Sequence, residues 1–169
     1  MHELYREIEL DAPCEAIWDF IATPRNLNAL TPPELQFRII TDLPDTMHNG
    51  LTILYHIQVP IFGSHRWLTE IKHIREGISF VDEQRQGPYR FWYHYHEIQR
   101  LGPRRCRMVD RVTYALPLGP LGTFVHRLIV RNMLGTIFDY RHQKLLELYP
   151  PTDESAPEQP PVIAAARDG

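Results

Sequence analysis

Phe80-Val-Asp-Glu-Gln-Arg-Gln-Gly-Pro-Tyr-Arg-Phe-Trp-Tyr-His-Tyr-His96 reads as two strands folded about a glycine–proline turn, and Met108-Val-Asp-Arg-Val-Thr-Tyr114 reads as a third. Side chains alternate across a strand, so Trp92, His94 and His96 share one face while Phe91, Tyr93 and Tyr95 take the other. By the same parity Phe80, Asp82 and Gln84 fall together, as do Met108, Asp110, Val112 and Tyr114. Each set mixes large apolar groups with ionisable ones. A buried polar group left without a partner costs roughly 1–3 kcal/mol, so an ordinary core strand excludes these carboxylates and imidazoles. A face that carries them predicts the wall of a cavity.

Upstream, Tyr5 to Leu10 alternates as a first strand. The period then changes in Asp11-Ala-Pro-Cys-Glu-Ala-Ile-Trp-Asp-Phe-Ile, where Asp11 is the expected N-cap, Pro13 falls in the first turn and Trp18 anchors the core. A second short helix is expected over residues 26–30, stopped by Thr31-Pro32-Pro33. Residues 35–116 form strand-length runs punctuated by His48-Asn-Gly50, Phe62-Gly-Ser, Glu76-Gly77, Gly87-Pro88 and Leu101-Gly-Pro103. Connections this short join antiparallel neighbours. Residues 121–149 contain no internal proline and carry a broad apolar stripe, which predicts one long closing helix ended by Pro150-Pro151. Residues 150–169 are rich in proline, small residues and acids and lack aromatics, so the domain is assigned to 1–149 and the rest to a disordered tail. The order predicts an α+β fold of about seven strands, a curved antiparallel sheet wrapped around a long helix.

Composition narrows the classes of function. With 169 residues, 43% hydrophobic and 23% charged, the chain fits one soluble domain with a sizeable core. A net charge of −3 argues against nucleic acid as a partner. No apolar run of the roughly 18 residues needed to span a bilayer is present. Two cysteines, Cys14 and Cys106, make no disulfide framework, and the charged, alternating N-terminus does not read as a signal peptide, so the expected location is the cytoplasm.

The chain resembles the START-like, or SRPBCC, superfamily, the helix-grip fold of birch-pollen-type allergens, and within it a bacterial single-domain branch. The residues that carry the resemblance are Pro24-Arg-Asn-Leu-Asn-Ala-Leu-Thr-Pro-Pro33, Phe80-Val-Asp-Glu-Gln84, Gly87-Pro-Tyr-Arg-Phe-Trp-Tyr-His-Tyr-His96, Asp110-Arg-Val-Thr-Tyr114 and Phe138-Asp-Tyr-Arg141. The resemblance covers residues 1 to about 149. It implies a small hydrophobic partner such as a lipid, isoprenoid or polyketide, held between the sheet and the last helix. It implies no cofactor and no metal.

Hairpin arithmetic places the polar residues. A turn centred near Gly102 sets Asp110 opposite His94 and Met108 opposite His96. A turn centred near Pro88 sets Asp82 opposite His94 and Gln84 opposite Trp92. Directly opposed residues have Cβ atoms about 4.5–5.5 Å apart, so a row Asp82–His94–Asp110 is expected across three strands. Trp67, Phe80 and Met108 would hold an apolar ligand body, with Asp82, Gln84, Trp92, His94, His96, Asp110 and Tyr114 around its polar end. Three readings of the row stay open: a structural hydrogen-bond network, ligand recognition, and acid–base catalysis by His94 and Asp110 in a cyclase- or dehydratase-like enzyme. An accessory interaction module without a ligand is the remaining class. His94-Tyr-His96 with Asp82 or Asp110 could also supply three ligands to zinc or iron, but spacing alone is weak evidence.

On the outer face, Phe91, Tyr93 and Tyr95 are expected beside Arg105, Arg107 and Arg111, with Glu97 opposite Arg107, as a solvated face or a homodimer surface. Cys106 is read as packing. Asn49-Gly50 and the loop over residues 59–63 are expected at the cavity rim.

Overall fold

The computed structural model describes residues 1–59, 63–117 and 129–151. Seven antiparallel strands form one sheet: β1 (His2–Leu10), β2 (Arg38–Ile39), β3 (Thr52–Val59), β4 (Gly63–Arg75), β5 (Ser79–Gln86), β6 (Phe91–Gly102) and β7 (Arg105–Ala115). Their order is β1-β7-β6-β5-β4-β3-β2, so the first strand closes onto the last and every other neighbour is joined by a short connection. Two register shifts interrupt the β4–β5 ladder, one with its extra residue in β5 opposite Leu68 and Thr69 and one with its extra residue in β4 between Lys72 and Arg75; such bulges locally kink and twist a sheet. Gly77, at φ 71°, makes the tight β4–β5 turn that a side chain would strain.

Helix α1 (Cys14–Ile21) follows β1. It starts after Pro13 rather than at Asp11: the Pro13 carbonyl accepts the amides of Ala16 and Ile17 at 3.1 and 3.3 Å. The residue before a proline is disfavoured in the helical region, which keeps Ala12 out of the helix and delays its start. The second short helix is a 3-10 segment, Pro24–Leu30, followed by another, Pro33–Leu35. The closing helix, α2 (Arg131–Leu148), buries Leu134, Phe138, Arg141 and Leu145 at spacings of one turn. The expected earlier part of that helix (121–128), the centre of the rim loop (60–62) and the tail (152–169) lie outside the described residues.

β6 alternates as its sequence requires, with Trp92, His94, His96 and Ile98 buried and their neighbours partly exposed. The β5–β6 register sets Asp82 opposite His94. The β6–β7 register differs from the hairpin arithmetic: His96 faces Asp110, His94 faces Val112, Trp92 faces Tyr114 and Ile98 faces Met108. The expected straight row Asp82–His94–Asp110 is therefore corrected to a staggered one. The turn lies at Pro103-Arg104, between paired Gly102 and Arg105, and an irregularity between Arg100 and Gly102 then absorbs one residue. The two displacements leave a net slip of two positions, so every side chain keeps its face. A turn displaced without that bulge would have put His94 and Asp110 on opposite faces.

The same slip corrects the outer face. Glu97 faces Val109, and Arg107 instead pairs with Glu9 of β1 at 2.7 Å, shared with Arg105. Tyr95 faces Arg111, whose guanidinium lies 5.6 Å from the Tyr5 ring.

The core joins α1 to the sheet through Ile17, Leu10, Cys106 and Met108, all 1% exposed or less. Trp18 is buried and donates from Nε1 to Glu76 Oε1 at 3.0 Å. Burial, and then the neighbouring Cys14, pushes the Cys106 thiol up to about 12. Only the thiolate reacts readily, so Cys106 should resist a disulfide reagent at pH 8 in the folded protein and react promptly in denaturant. Rapid labelling of native protein at Cys106, located by peptide mapping, would contradict this packing.

Candidate functional site

Three strands and α2 bring five ionisable side chains to one place. Asp82 comes from β5, His94 and His96 from β6, Asp110 from β7 and Arg141 from the middle of α2's buried stripe. Asp110 lies at the back, 1% exposed at its side chain, and its Oδ1 is 2.9 Å from both His94 Nε2 and His96 Nδ1. Asp82 lies in front at 22% exposure, with Oδ2 3.2 Å from His94 Nδ1 and 3.0 Å from His96 Nε2. Trp92 Nε1 donates to the other Asp82 oxygen at 3.2 Å. The two imidazoles lie between the two carboxylates, ring centroids 3.7 Å apart. Phe80 stacks on His96 at 4.3 Å, and the Phe138 ring meets His94 edge-on at 5.4 Å.

The electrostatics follow from this enclosure. Burial alone would raise the Asp82 carboxyl, but the charge and hydrogen bond of His94, then those of His96, outweigh it and hold it below the usual range. Burial acts likewise on Asp110, where the Arg141 charge and the hydrogen bonds of both histidines prevail and hold it well down. For His94 burial favours the neutral ring, and the two carboxylates reverse that and raise it. Arg141 Nε lies 3.6 Å from Asp110 Oδ2, too far for a hydrogen bond, and both atoms are buried without a hydrogen-bond partner among the described residues.

In front of the cluster lies a partly open cavity made of two adjoining pockets, or lobes, that share Asp82, Tyr55 and Arg141. The first, about 130 Å³, is walled by Phe37, Tyr55, Trp67, Tyr89 and Trp92 from the sheet side and by Leu134 and Phe138 from α2. The second, about 90 Å³, runs toward α1 between Ile21, Ile53, Ile71 and Phe80. Asp82 and Arg141 border both lobes, His94 the first and His96 the second. Trp67 is the hub of the aromatic wall, edge-on to Trp92 at 5.2 Å and stacked with Tyr55 at 5.7 Å. Its Nε1 is buried with no hydrogen-bond partner among the described residues.

The residues expected around a ligand therefore separate. Trp67, Phe80, Asp82, Trp92, His94 and His96 line the cavity. Gln84 is used elsewhere: its Nε2 donates to the Tyr89 carbonyl at 2.7 Å and its Oε1 accepts the Tyr89 amide at 3.2 Å, bracing the Gly87-Pro88 turn. Met108 is fully buried on β7 between Ile8 of β1 and Ile98 of β6, and Tyr114 packs against Tyr89 and Trp92. Asp110 touches the cluster from behind without bordering either lobe. Arg141 and Tyr89 were missed as site residues. A cation at a core position between Phe138 and Leu145 was the signal available for Arg141. For Tyr89, placed by a turn, there was none.

The strand order and the closing helix laid against the sheet make the helix-grip fold seen in START-like proteins. The chain belongs to the family described as "Domain of unknown function (DUF8410)", whose model matches residues 8–149. No curated protein matches it. Among solved structures, it is similar to a START superfamily protein from Mycobacterium smegmatis, with 17% identity, a TM-score of 0.64, and 88% of this chain and 99% of that one covered. It is also similar to the Zhui aromatase/cyclase from Streptomyces sp. R1128, with 11% identity, a TM-score of 0.61, and 88% and 96% covered. The ginseng major latex-like protein 151 from Panax ginseng aligns with 10% identity, a TM-score of 0.64, and 89% and 98% covered. Such identities speak for the fold. Among the described residues no helix is long and apolar enough to cross a membrane.

Proposed function

We propose that the protein binds a small, predominantly apolar molecule that carries a hydrogen-bond acceptor, in the cavity between the sheet and α2. The observation that supports this reading is the buried Trp67 Nε1, a donor without a hydrogen-bond partner among the described residues, in a largely apolar wall. An unmet buried donor is costly, and a ligand oxygen satisfies it. The first lobe, about 130 Å³, is close to the ~150 Å³ of a cavity known to hold benzene. That size favours a ligand whose buried part is about one ring or a short branched chain. The polar floor of Asp82, His94 and Arg141 then meets a second polar group.

Binding without turnover is the reading the geometry favours. Both ring nitrogens of His94 face carboxylate oxygens, at 3.2 and 2.9 Å, so neither is turned toward a substrate proton. A titration with single-ring ketones, phenols and their hydrocarbon counterparts tests the proposal. Trp67 and Trp92 fluorescence should be quenched saturably by acceptor-bearing members. Trp67→Phe, followed by calorimetry, should weaken them about tenfold, the worth of one hydrogen bond, and leave the hydrocarbons unchanged. Equal affinity of ketone and hydrocarbon for the native protein, or no binder in the series, would count against it.

A further inference from the structure

The geometry points to a metal site: Asp82 Oδ2, His94 Nδ1 and His96 Nε2 form a two-histidine, one-carboxylate site for a divalent transition ion at the meeting point of the two cavity lobes. These atoms all lie within 4.8 Å of one another. The Asp82 oxygen is 3.2 Å from His94 Nδ1 and 3.0 Å from His96 Nε2. Bonds of about 2.0–2.1 Å in a tetrahedral arrangement would separate ligand atoms by roughly 3.3 Å, a few tenths more than observed. For these two pairs small side-chain adjustments therefore admit an ion.

The surroundings are what such a site requires beyond its ligands. A metal-bound histidine is held by a hydrogen bond from its far nitrogen to a carboxylate or carbonyl. Here the far nitrogens of both rings, His94 Nε2 and His96 Nδ1, lie 2.9 Å from one oxygen of the buried Asp110. That arrangement leaves the near nitrogens directed at Asp82. Asp82 is oriented in turn by Trp92 Nε1 on its other oxygen, which leaves Oδ2 for the ion. Phe80 and Phe138 fix the planes of the two rings. Arg141 lies beside the positioning carboxylate, and its Nη2 is 3.5 Å from His96 Nδ1, the far nitrogen of that ring and not one of the three ligand atoms.

One divalent ion would take the place of the two protons that the near nitrogens need in order to face Asp82. Two imidazoles and one carboxylate suit zinc or iron(II), and they do not suit calcium or magnesium, which require oxygen ligands. Three protein ligands leave a coordination position open. Asp82 borders both lobes, so that position faces the cavity and would take an oxygen donor such as a carbonyl or carboxylate. The His94-Tyr-His96 spacing alone is weak evidence for a metal, and the family resemblance implies none. The doubly engaged Asp110 is the feature that spacing could not reveal.

Cobalt(II) titration tests the site directly, without any organic ligand. Protein stripped with a chelator should bind one equivalent of Co²⁺ with visible bands of a four- or five-coordinate ion, and one equivalent of Zn²⁺ should abolish them. Asp82→Asn and His96→Gln should lose the bands, while Asp110→Asn should keep them with affinity reduced about 10–100-fold. Near-ultraviolet circular dichroism identifies any variant that fails to fold. The native protein suffices alone to overturn the proposal, by a weak hexa-aqua-like spectrum or absorbance that grows without saturating. Unchanged binding in folded Asp82→Asn would overturn it equally. Failure here leaves the ketone and hydrocarbon titration unaffected, so the two readings fail separately.

Discussion

Asp110→Ala should destabilise the protein by about 3–5 kcal/mol, the usual cost of removing one partner from a buried ion cluster. Asp110 is 1% exposed and is the shared acceptor for the far nitrogens of His94 and His96, with the Arg141 guanidinium beside it. Its removal leaves two imidazoles and a guanidinium enclosed by apolar walls with one carboxylate among them. Asp110→Asn, which keeps the volume and one acceptor oxygen, should cost less. Because the groups share partners, Asp110→Ala combined with Arg141→Met should cost less than the sum of the two single changes. Urea unfolding of the native protein and the four variants measures these effects. A loss under about 1 kcal/mol for Asp110→Ala would mean that the cluster is not the enclosed network described.

Phe138→Ala should cost a similar amount, about 3–5 kcal/mol, but for an apolar reason. Phe138 is 4% exposed, lies on the buried stripe of α2, meets His94 edge-on and forms part of the wall of the larger lobe. Truncation removes the contact between helix and sheet and opens more space beside a cavity that is already there. The variant should therefore show two changes together: a lower unfolding midpoint and a preference shifted toward bulkier ligands. A stability loss with no shift in ligand size would place the binding site elsewhere.

These two residues illustrate what the chain displays before it is folded. The period of two in Trp92, His94 and His96 and the helical stripe containing Phe138 are local properties, so strands, helix and cavity-facing parity could be read directly. Which histidine faces Asp110 was not local. It depended on the turn position and on one bulge near Leu101, and neither has a distinctive signature in Leu101-Gly-Pro103. Asp110 still reaches both rings because cross-strand diagonals are within reach of long side chains. Gln84 shared the parity of Asp82, yet the backbone of Tyr89 took both ends of its amide. Met108 and Tyr114 also share the inner face, but they lie on β7 beside the edge strand β1, and both are fully buried in the packed core. Arg141 was visible only as an interruption in an apolar stripe; its meaning required the sheet opposite.

Native mass spectrometry of the protein purified from the cells that produce it, and again after exposure to small acceptor-bearing ring compounds, tests the central claim most directly. The account predicts a one-to-one organic adduct that survives gentle ionisation and is weakened by Trp67→Phe. The polypeptide mass alone in both preparations, or several adducts indifferent to Trp67, would contradict it.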